Sequence, residues 1–296
     1  MREFEGKTAV VTGAASGMGR AFAERFAREG MHVVLADIEE EALETAVREL
    51  EQEEHRVIGV VTNTMSRDSV QALARRAIDE FGKIHIVCNN AGVTSRGDAG
   101  AAGGRGVWEI PQSDWDWVVG VNFWGVLYGL QVFIPHMLEH GEEGHIVNTA
   151  SLAGLIPGGG AYGVTKHGVL ALSEGLHRDL KARDAQIGAS VLCPGFVNTR
   201  IFKAERNRPE EFASVVPESD AGGLANIDSV LQQAKQPAEI AEIVFEAIQS
   251  DRFYILPHPA WDEIVRSRVE HVLARGAPVV LDFEDLTRRT VAGEGF

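Results

Sequence analysis

Tyr162 and Lys166 stand four residues apart in a stretch whose apolar positions recur with helical period, so both project from one face of one helix. A tyrosine hydroxyl titrates near ~10 and is a poor base at neutral pH. An ammonium close by stabilises the phenolate and brings the group into a range where it can trade protons. Ser151 follows an apolar run upstream and supplies a hydroxyl suited to holding a substrate oxygen as charge develops on it. A Tyr-x-x-x-Lys pair alone is common by chance and otherwise reads as surface decoration. Its meaning here comes from its place downstream of a nucleotide-type loop.

That loop is Thr12-Gly13-Ala14-Ala15-Ser16-Gly17-Met18-Gly19. It follows an apolar run at 7–12 and opens a helical pattern at 18–28. Gly13, Gly17 and Gly19 let the backbone turn sharply and come close to a pyrophosphate, while Ser16 and Met18 sit where the helix begins, with its free N–H groups and positive dipole end. A glycine triplet by itself also fits a tight strand–helix turn, but after the first strand of a βαβ unit it has the context that dinucleotide binding requires. Asp37 ends the next apolar run. A carboxylate there accepts hydrogen bonds from ribose hydroxyls and repels a 2′-phosphate. Its neighbours Ala36 and Ile38 bring no cation to hold such a phosphate, so NAD is favoured over NADP. The alternative is that Asp37 caps the following helix.

The rest of the chain must position these groups. Strands are expected at 7–12, 32–37, 56–61, 84–89, 145–149, 189–193 and 253–256. Helices are expected at 18–28, 39–53, 68–81, 114–138, 162–183 and 238–249. Strands apolar on both faces, each followed by a helix, predict a parallel sheet covered on both sides. The handedness of βαβ units then gives an α/β, Rossmann-type doubly wound sheet of about seven strands. Two stretches break the pattern: a Gly-rich segment at 95–106 and a connection at 196–236, long enough to suggest a substrate lid. A plausible helix at 261–274 lies in a C-terminal extension, 257–296. No linker or internal repeat is evident, so residues 1–296 are read as one domain.

Composition excludes several classes. The chain has 296 residues, 45% of them hydrophobic, and a net charge of −15 from 28 basic and 43 acidic residues. A charge of that sign repels nucleic acid and anionic membrane surfaces. No apolar run approaches the ~20 residues that span a bilayer, and the first residues lack the apolar stretch of a signal peptide. Cys88 and Cys193, the two cysteines, sit in apolar runs and read as buried free thiols, consistent with a reducing compartment and a cytoplasmic protein. No metal site is expected: His136 and His140 lie one turn apart but lack a third ligand and read as helix surface. Trp108, Trp115, Trp117 and Trp124 read as packing anchors.

Taken together these pieces resemble the short-chain dehydrogenase/reductase family over nearly the whole chain. The resemblance rests on the segment from Thr12 to Gly19, Asn89-Asn90-Ala91-Gly92, Asn122, Ser151, Tyr162-Gly163-Val164-Thr165-Lys166 and Pro194-Gly195-Phe196-Val197-Asn198-Thr199, in the family's order. It implies a Ser151–Tyr162–Lys166–Asn122 tetrad. Tyr162 would exchange the hydroxyl proton, Lys166 would bind the nicotinamide ribose and tune the tyrosine, Ser151 would orient substrate, and Asn122 would hold a relay water. Asn90, Ala91 and Gly92 would shape the adenosine side, and Pro194, Gly195, Val197 and Thr199 the nicotinamide end. Where the family usually carries an adenine-binding aspartate this chain has Asn63, followed by Thr64; the amide oxygen can still accept from the adenine amino group, with weaker binding. The Ser151–Tyr162 spacing is at the short end for the family.

The leading functional reading is NAD-dependent interconversion of a secondary alcohol and a ketone, with Phe196, Phe202 and Phe212 in the long connection pointing to a hydrophobic or aromatic small molecule. The end at Tyr254-Ile255-Leu256-Pro257 resembles a branch that includes benzylic-alcohol dehydrogenases. The alternatives are an NADPH-dependent biosynthetic ketoreductase and a non-catalytic dinucleotide sensor. Family members of the last kind generally lose the tyrosine or lysine. The resemblance also implies a homodimer or homotetramer built on the helices at 114–138 and 162–183.

Overall fold

The apolar runs form strands at Thr8–Thr12 (β1), His32–Asp37 (β2), Val57–Val61 (β3), Ile86–Asn89 (β4), Gly144–Thr149 (β5), Ile187–Leu192 (β6) and Tyr254–Ile255 (β7). All pair in parallel, in the order β3-β2-β1-β4-β5-β6-β7. In this computed structural model, residues 1–97, 106–216, 227–281 and 288 are described. Most of the Gly-rich segment at 95–106, part of 196–236 and the end of the C-terminal extension lie outside the described residues.

Every residue of β1 and β5 is buried, as parallel strands require when helices cover both faces. On one face lie Gly17–Arg28 (α1), Glu40–Gln52 (α2) and Pro237–Gln249 (α8), whose Phe22, Phe26, Leu43, Ile240 and Val244 share one core with Val11 and Leu35. On the other lie Arg67–Phe81 (α3), Gly125–His140 (α5) and Gly160–Lys181 (α6), with Leu73, Phe133, Met137 and Leu180 packed on Val10, Val87 and Ile146. Phe26 and Phe133 are at most 1% exposed, and burying each such side chain contributes roughly 1.5–3 kcal/mol. The strand order reverses between β1 and β4, so a ligand crevice opens beyond their carboxyl ends.

The helix expected at 114–138 is composite. Gln112–Val119 (α4) runs into a π turn over Gly120–Trp124 and then α5. Asn122 sits inside the π turn, a distortion that recurs at functional sites. The whole of Gln112–His140 is long and apolar enough to cross a membrane by composition, which corrects the expectation that no stretch reaches that length. Asn122, Gln131 and His136 interrupt any strict apolar run, while the average remains high, and half of the most apolar window is buried inside the fold.

The 196–236 connection carries structure of its own. Short 3₁₀ turns span Ile201–Asn207 and Glu210–Phe212, and Ile227–Gln233 (α7) follows. Its two ends are pinned together, Asn198 N donating to Lys235 O at 2.9 Å beside a Val197–Lys235 bridge. In the C-terminal extension, Asp262–Leu273 (α9) packs back on the molecule through Trp261 and Ile264 against Leu152 and Ile156.

Candidate active site

All the candidate cofactor and catalytic residues except Gly19 and Asn122 line one cavity of about 720 Å³. It lies where the strand order reverses, at the carboxyl ends of β1, β2, β4 and β5.

At its nucleotide end, β1 runs into the glycine loop. Gly13 and Gly17 have φ of +68° and +57°, the left-handed region that favours glycine. Gly19 answers a different demand: a Cβ there would lie 2.1 Å from Gly13 O and 2.7 Å from Asn90 Nδ2. The loop is thus folded tightly on itself and on the segment after β4. Thr12 fixes that contact, its Oγ1 accepting from Asn90 N at 2.9 Å and Ala91 N at 3.0 Å while donating to Cys88 O. Ser16 precedes α1 in extended conformation with no side-chain cap bond, and the first turn carries no acidic residue, so nothing there opposes a phosphate.

Asp37 is buried at the end of β2. Its Oδ2 accepts from Ala15 N at 2.9 Å and its Oδ1 from Glu39 N at 3.1 Å, so the carboxylate both braces the glycine loop and caps the turn into α2. It lines the cavity as well; capping and ligand contact are compatible, because a carboxylate has about four acceptor sites. Asn63 and Thr64 line the same end. Asn63 Oδ1 already accepts from Met65 N at 3.0 Å, a local turn that leaves one lone pair for a ligand. Asn90 likewise serves the scaffold, Nδ2 donating to Thr12 O at 3.0 Å. Asn89 belongs to a buried chain running through Asn148 and Ser173 to Val169 O.

At the other end, Tyr162 and Lys166 lie in the first turns of α6. Lys166 is 3% exposed, its Nζ donating to Thr149 O at 2.9 Å and standing 5.4 Å from the centre of the Tyr162 ring. Burial pulls its pKa down to about 8, because an apolar surround disfavours the charged form. Ser151 follows β5, accepting from Ala153 N at 3.1 Å and donating to Pro194 O at 3.3 Å. The short Ser151–Tyr162 spacing is taken up by a 3₁₀ turn at Leu152–Gly154 pressed on α6, where a Cβ on Gly154 would lie 2.6 Å from Lys166 O.

Asn122 lies just behind this group. Its Oδ1 accepts from Val93 N at 2.8 Å and its Nδ2 donates to Val93 O at 2.9 Å and Thr165 Oγ1 at 3.4 Å. Gly92 sits between it and the lysine: a Cβ there would be 3.4 Å from Asn122 Oδ1 and 3.5 Å from Lys166 Nζ. In the segment after β6, Gly17 meets Thr199, whose Cγ2 would lie 3.2 Å from an added Cβ.

Several residues that brace the cavity had no signal in the sequence. Arg208, 4% exposed, pairs with the fully buried Asp114 and with Glu205, and its guanidinium lies 4.9 Å over the Trp117 ring. Glu205 and Asp114 in turn accept from Arg96 N and Gly97 N. Arg208 thereby ties the 3₁₀ turns after β6 to α4 and to the segment after β4. His258 bridges the segment after β6, Nδ1 accepting from Gly195 N at 3.1 Å and Nε2 donating to Phe196 O at 3.0 Å. This fixes a neutral tautomer, and burial holds its pKa below the usual histidine value. Trp261 and residues 278–281 of the extension line the cavity with Phe196 and Phe202.

Other expectations change. Arg200 and Arg206 reach Glu39, two residues beyond Asp37, so cations do stand near that carboxylate, brought by the long connection and not by the neighbouring sequence. His136 and His140 are half-buried staples on Ile84, through its N–H and its carbonyl, and not helix surface. Trp117 is a buried anchor, but Trp108 and Trp124 are exposed. His167 bonds Gly163 O within α6 and is not among the cavity's lining residues. Cys88 and Cys193 are buried free thiols. Among the described residues, no group of three or more His, Cys, Asp or Glu is placed to hold a metal.

Comparison with known proteins identifies the family. A family model for short chain dehydrogenase matches residues 7–210. A crystal structure of a short chain dehydrogenase/reductase from Burkholderia phymatum in complex with NAD superposes with a TM-score of 0.86 at 45% identity, covering 94% of this chain and 98% of that one. The CLA biosynthesis dehydrogenase/reductase of Lactiplantibacillus plantarum is 32% identical over 95% of this chain and 98% of its own length. A C alpha-dehydrogenase of Sphingobium is 30% identical over 99% of this chain and 93% of its own. The chain belongs to the short-chain dehydrogenase/reductase family of oxidoreductases.

Proposed function

We propose that the protein is an NAD-dependent dehydrogenase interconverting a secondary alcohol and a ketone on a hydrophobic or aromatic small molecule. The observation that carries the reading is a buried lysine beside the Tyr162 ring in the same cavity as Ser151 and Asp37. The glycine cradle, the uncapped start of α1 and a ribose-facing carboxylate fit a dinucleotide, and Asp37 favours NAD. The NAD complex of the Burkholderia phymatum relative supports the same cofactor. Bound NAD supplies the hydride acceptor.

In the oxidative direction, Ser151 Oγ holds the substrate oxygen and Tyr162 takes the hydroxyl proton as the carbinol hydrogen departs as hydride. Lys166, as a cation, lowers the cost of the Tyr162 phenolate and reaches the ribose of the cofactor. Because the Asn122 amide is engaged with Val93 and Thr165, we assign its relay role to the backbone of the π turn. Apolar walls from Trp117, Val93, Ile156, Phe196, Phe202 and Trp261 support an aromatic or otherwise hydrophobic substrate. The resemblance of the Tyr254–Pro257 end to a branch that includes benzylic-alcohol dehydrogenases makes benzylic alcohols the first class to try. Residues 196–236 act as the substrate lid and 257–296 as an extension of the same domain. A dimer or tetramer through α5 and α6 accounts for the exposed Trp124, Leu138 and Val164; light scattering giving a monomer would remove that part.

A panel of aliphatic and benzylic secondary alcohols with NAD, followed by NADH absorbance, tests the reading. Turnover on apolar members is expected. Tight NAD binding with no turnover across the panel would favour a dinucleotide sensor. One observation speaks for an NADPH-dependent ketoreductase, the presence of Arg200 and Arg206 in the cavity wall.

A further inference from the structure

The cavity wall next to Asp37 is built from two distant parts of the chain. Glu39 stands at the start of α2, its backbone N–H held by Asp37 Oδ1 at 3.1 Å. Arg206 comes from the 3₁₀ turn after β6 and grips Glu39 with Nε at 3.1 Å and Nη2 at 2.6 Å from Oε1. Asn207 Nδ2 adds a bond at 2.9 Å and Arg200 Nη2 approaches to 3.8 Å. Arg206 is also aimed by its own segment, with Nη1 donating to Lys203 O at 2.8 Å and Arg200 O at 3.2 Å. These contacts hold the Glu39 carboxyl below its ordinary pKa, Arg206 foremost, so it is ionised at neutral pH. Asp37, Glu39, Arg200, Arg206 and Asn207 all line the cavity.

Two guanidinium groups beside a ribose-binding carboxylate are what a 2′-phosphate receptor would contain, since arginine forks match phosphate geometry. Here Arg206 is already occupied by Glu39, and Arg200 stands within ion-pair range of the same carboxylate. We infer that Glu39 is a second determinant of cofactor choice, excluding a 2′-phosphorylated dinucleotide by occupying Arg206 and pairing at longer range with Arg200. Asp37 repels the phosphate directly, and Glu39 withholds the cations that would receive it, so discrimination uses an unfavourable element and a blocked favourable one together. Glu39 acts through the arginines and not on the reacting atoms.

The inference rests on the NAD reading above. Its test is the ratio of kcat/KM with NADP to that with NAD, on one alcohol, for wild type, E39Q, E39Q/R206M, D37S and D37S/E39Q, with melting temperatures as a folding check. E39Q is expected to raise the NADP:NAD ratio by about tenfold or more, the scale of one charge-assisted bond. R206M in the E39Q background should remove the gain, and D37S/E39Q should exceed D37S by a similar factor. A merely structural Glu39 would lower both efficiencies and leave the ratio unmoved. Wild type preferring NAD, with ratios in E39Q and D37S/E39Q within about twofold of their parents, would overturn this inference alone. Wild type preferring NADP would overturn the NAD reading and this inference with it.

Discussion

Lys166 Nζ donates to the backbone carbonyl of Thr149 at 2.9 Å, and that bond joins the catalytic helix to the end of β5. The carbonyl supplies a partner but no compensating charge, so burial pulls the lysine pKa down to about 8. A basic group whose folded pKa lies below its unfolded value costs stability while it must be charged. The cost is fully present below pH 8 and disappears as pH rises toward the ordinary lysine value of 10.5. Denaturant unfolding of the cofactor-free protein at pH 7 and pH 10, for wild type and K166M, isolates this effect. Wild type should gain relative to K166M on going to pH 10, by up to about 3 kcal/mol. An unchanged difference would mean the lysine is better solvated than its surroundings indicate.

The pair formed by Arg208 and Asp114 is buried on both sides, and removing one partner strands the other charge. R208M is expected to cost about 3–5 kcal/mol in chemical denaturation and to raise KM for the alcohol more than KM for NAD, because Trp117 and the 3₁₀ turns wall the substrate end. The double variant R208M/D114N should recover part of the stability. A loss under about 1 kcal/mol would show that the pair is not desolvated.

Gly19 is fixed by space and not by its dihedral angles. Since an added Cβ would fall 2.1 Å from Gly13 O, G19A must displace the loop, and NAD affinity measured by fluorescence titration should fall by roughly tenfold to a hundredfold. G175A, also in a helix but with Arg178 Nη2 as the nearest atom to an added Cβ, 4.0 Å away, should leave NAD affinity unchanged.

His258 accepts from Gly195 N–H only while Nδ1 is unprotonated. Its pKa lies below the usual histidine value through burial, with Lys235 lowering it and Phe196 O and Glu239 raising it. His258 is therefore neutral near neutrality, and protonation disrupts the segment only as pH falls through that lowered value. KM for NAD should rise from pH 7 to pH 5 in wild type and change less in H258N, whose amide oxygen accepts at both pH values.

The strands and the cofactor loop were legible because both are local signals. Apolarity on both faces marks a covered strand, and Gly13, Gly17 and Gly19 follow the first of them. Tyr162 and Lys166 were legible because a helix brings residues four apart together. What was not legible is pairing between distant segments. Nothing near Asp114 names Arg208, and nothing near Glu39 names Arg206; the topology alone brings each pair together. Asn122 shows the same limit on a smaller scale, for its identity was readable but not its commitment to both backbone groups of Val93. His136 and His140 share a face as their spacing indicates, yet their partner is the backbone of Ile84, which carries no side-chain signal.

The central claim is that the Tyr162 hydroxyl is the proton-trading group. Steady-state turnover of Y162F on an alcohol that wild type oxidises, together with its NAD dissociation constant, tests it most directly. The expected result is a fall in kcat of about 10²–10⁴ with NAD affinity within about threefold of wild type. Turnover close to wild type in a folded, NAD-binding Y162F would contradict the assignment.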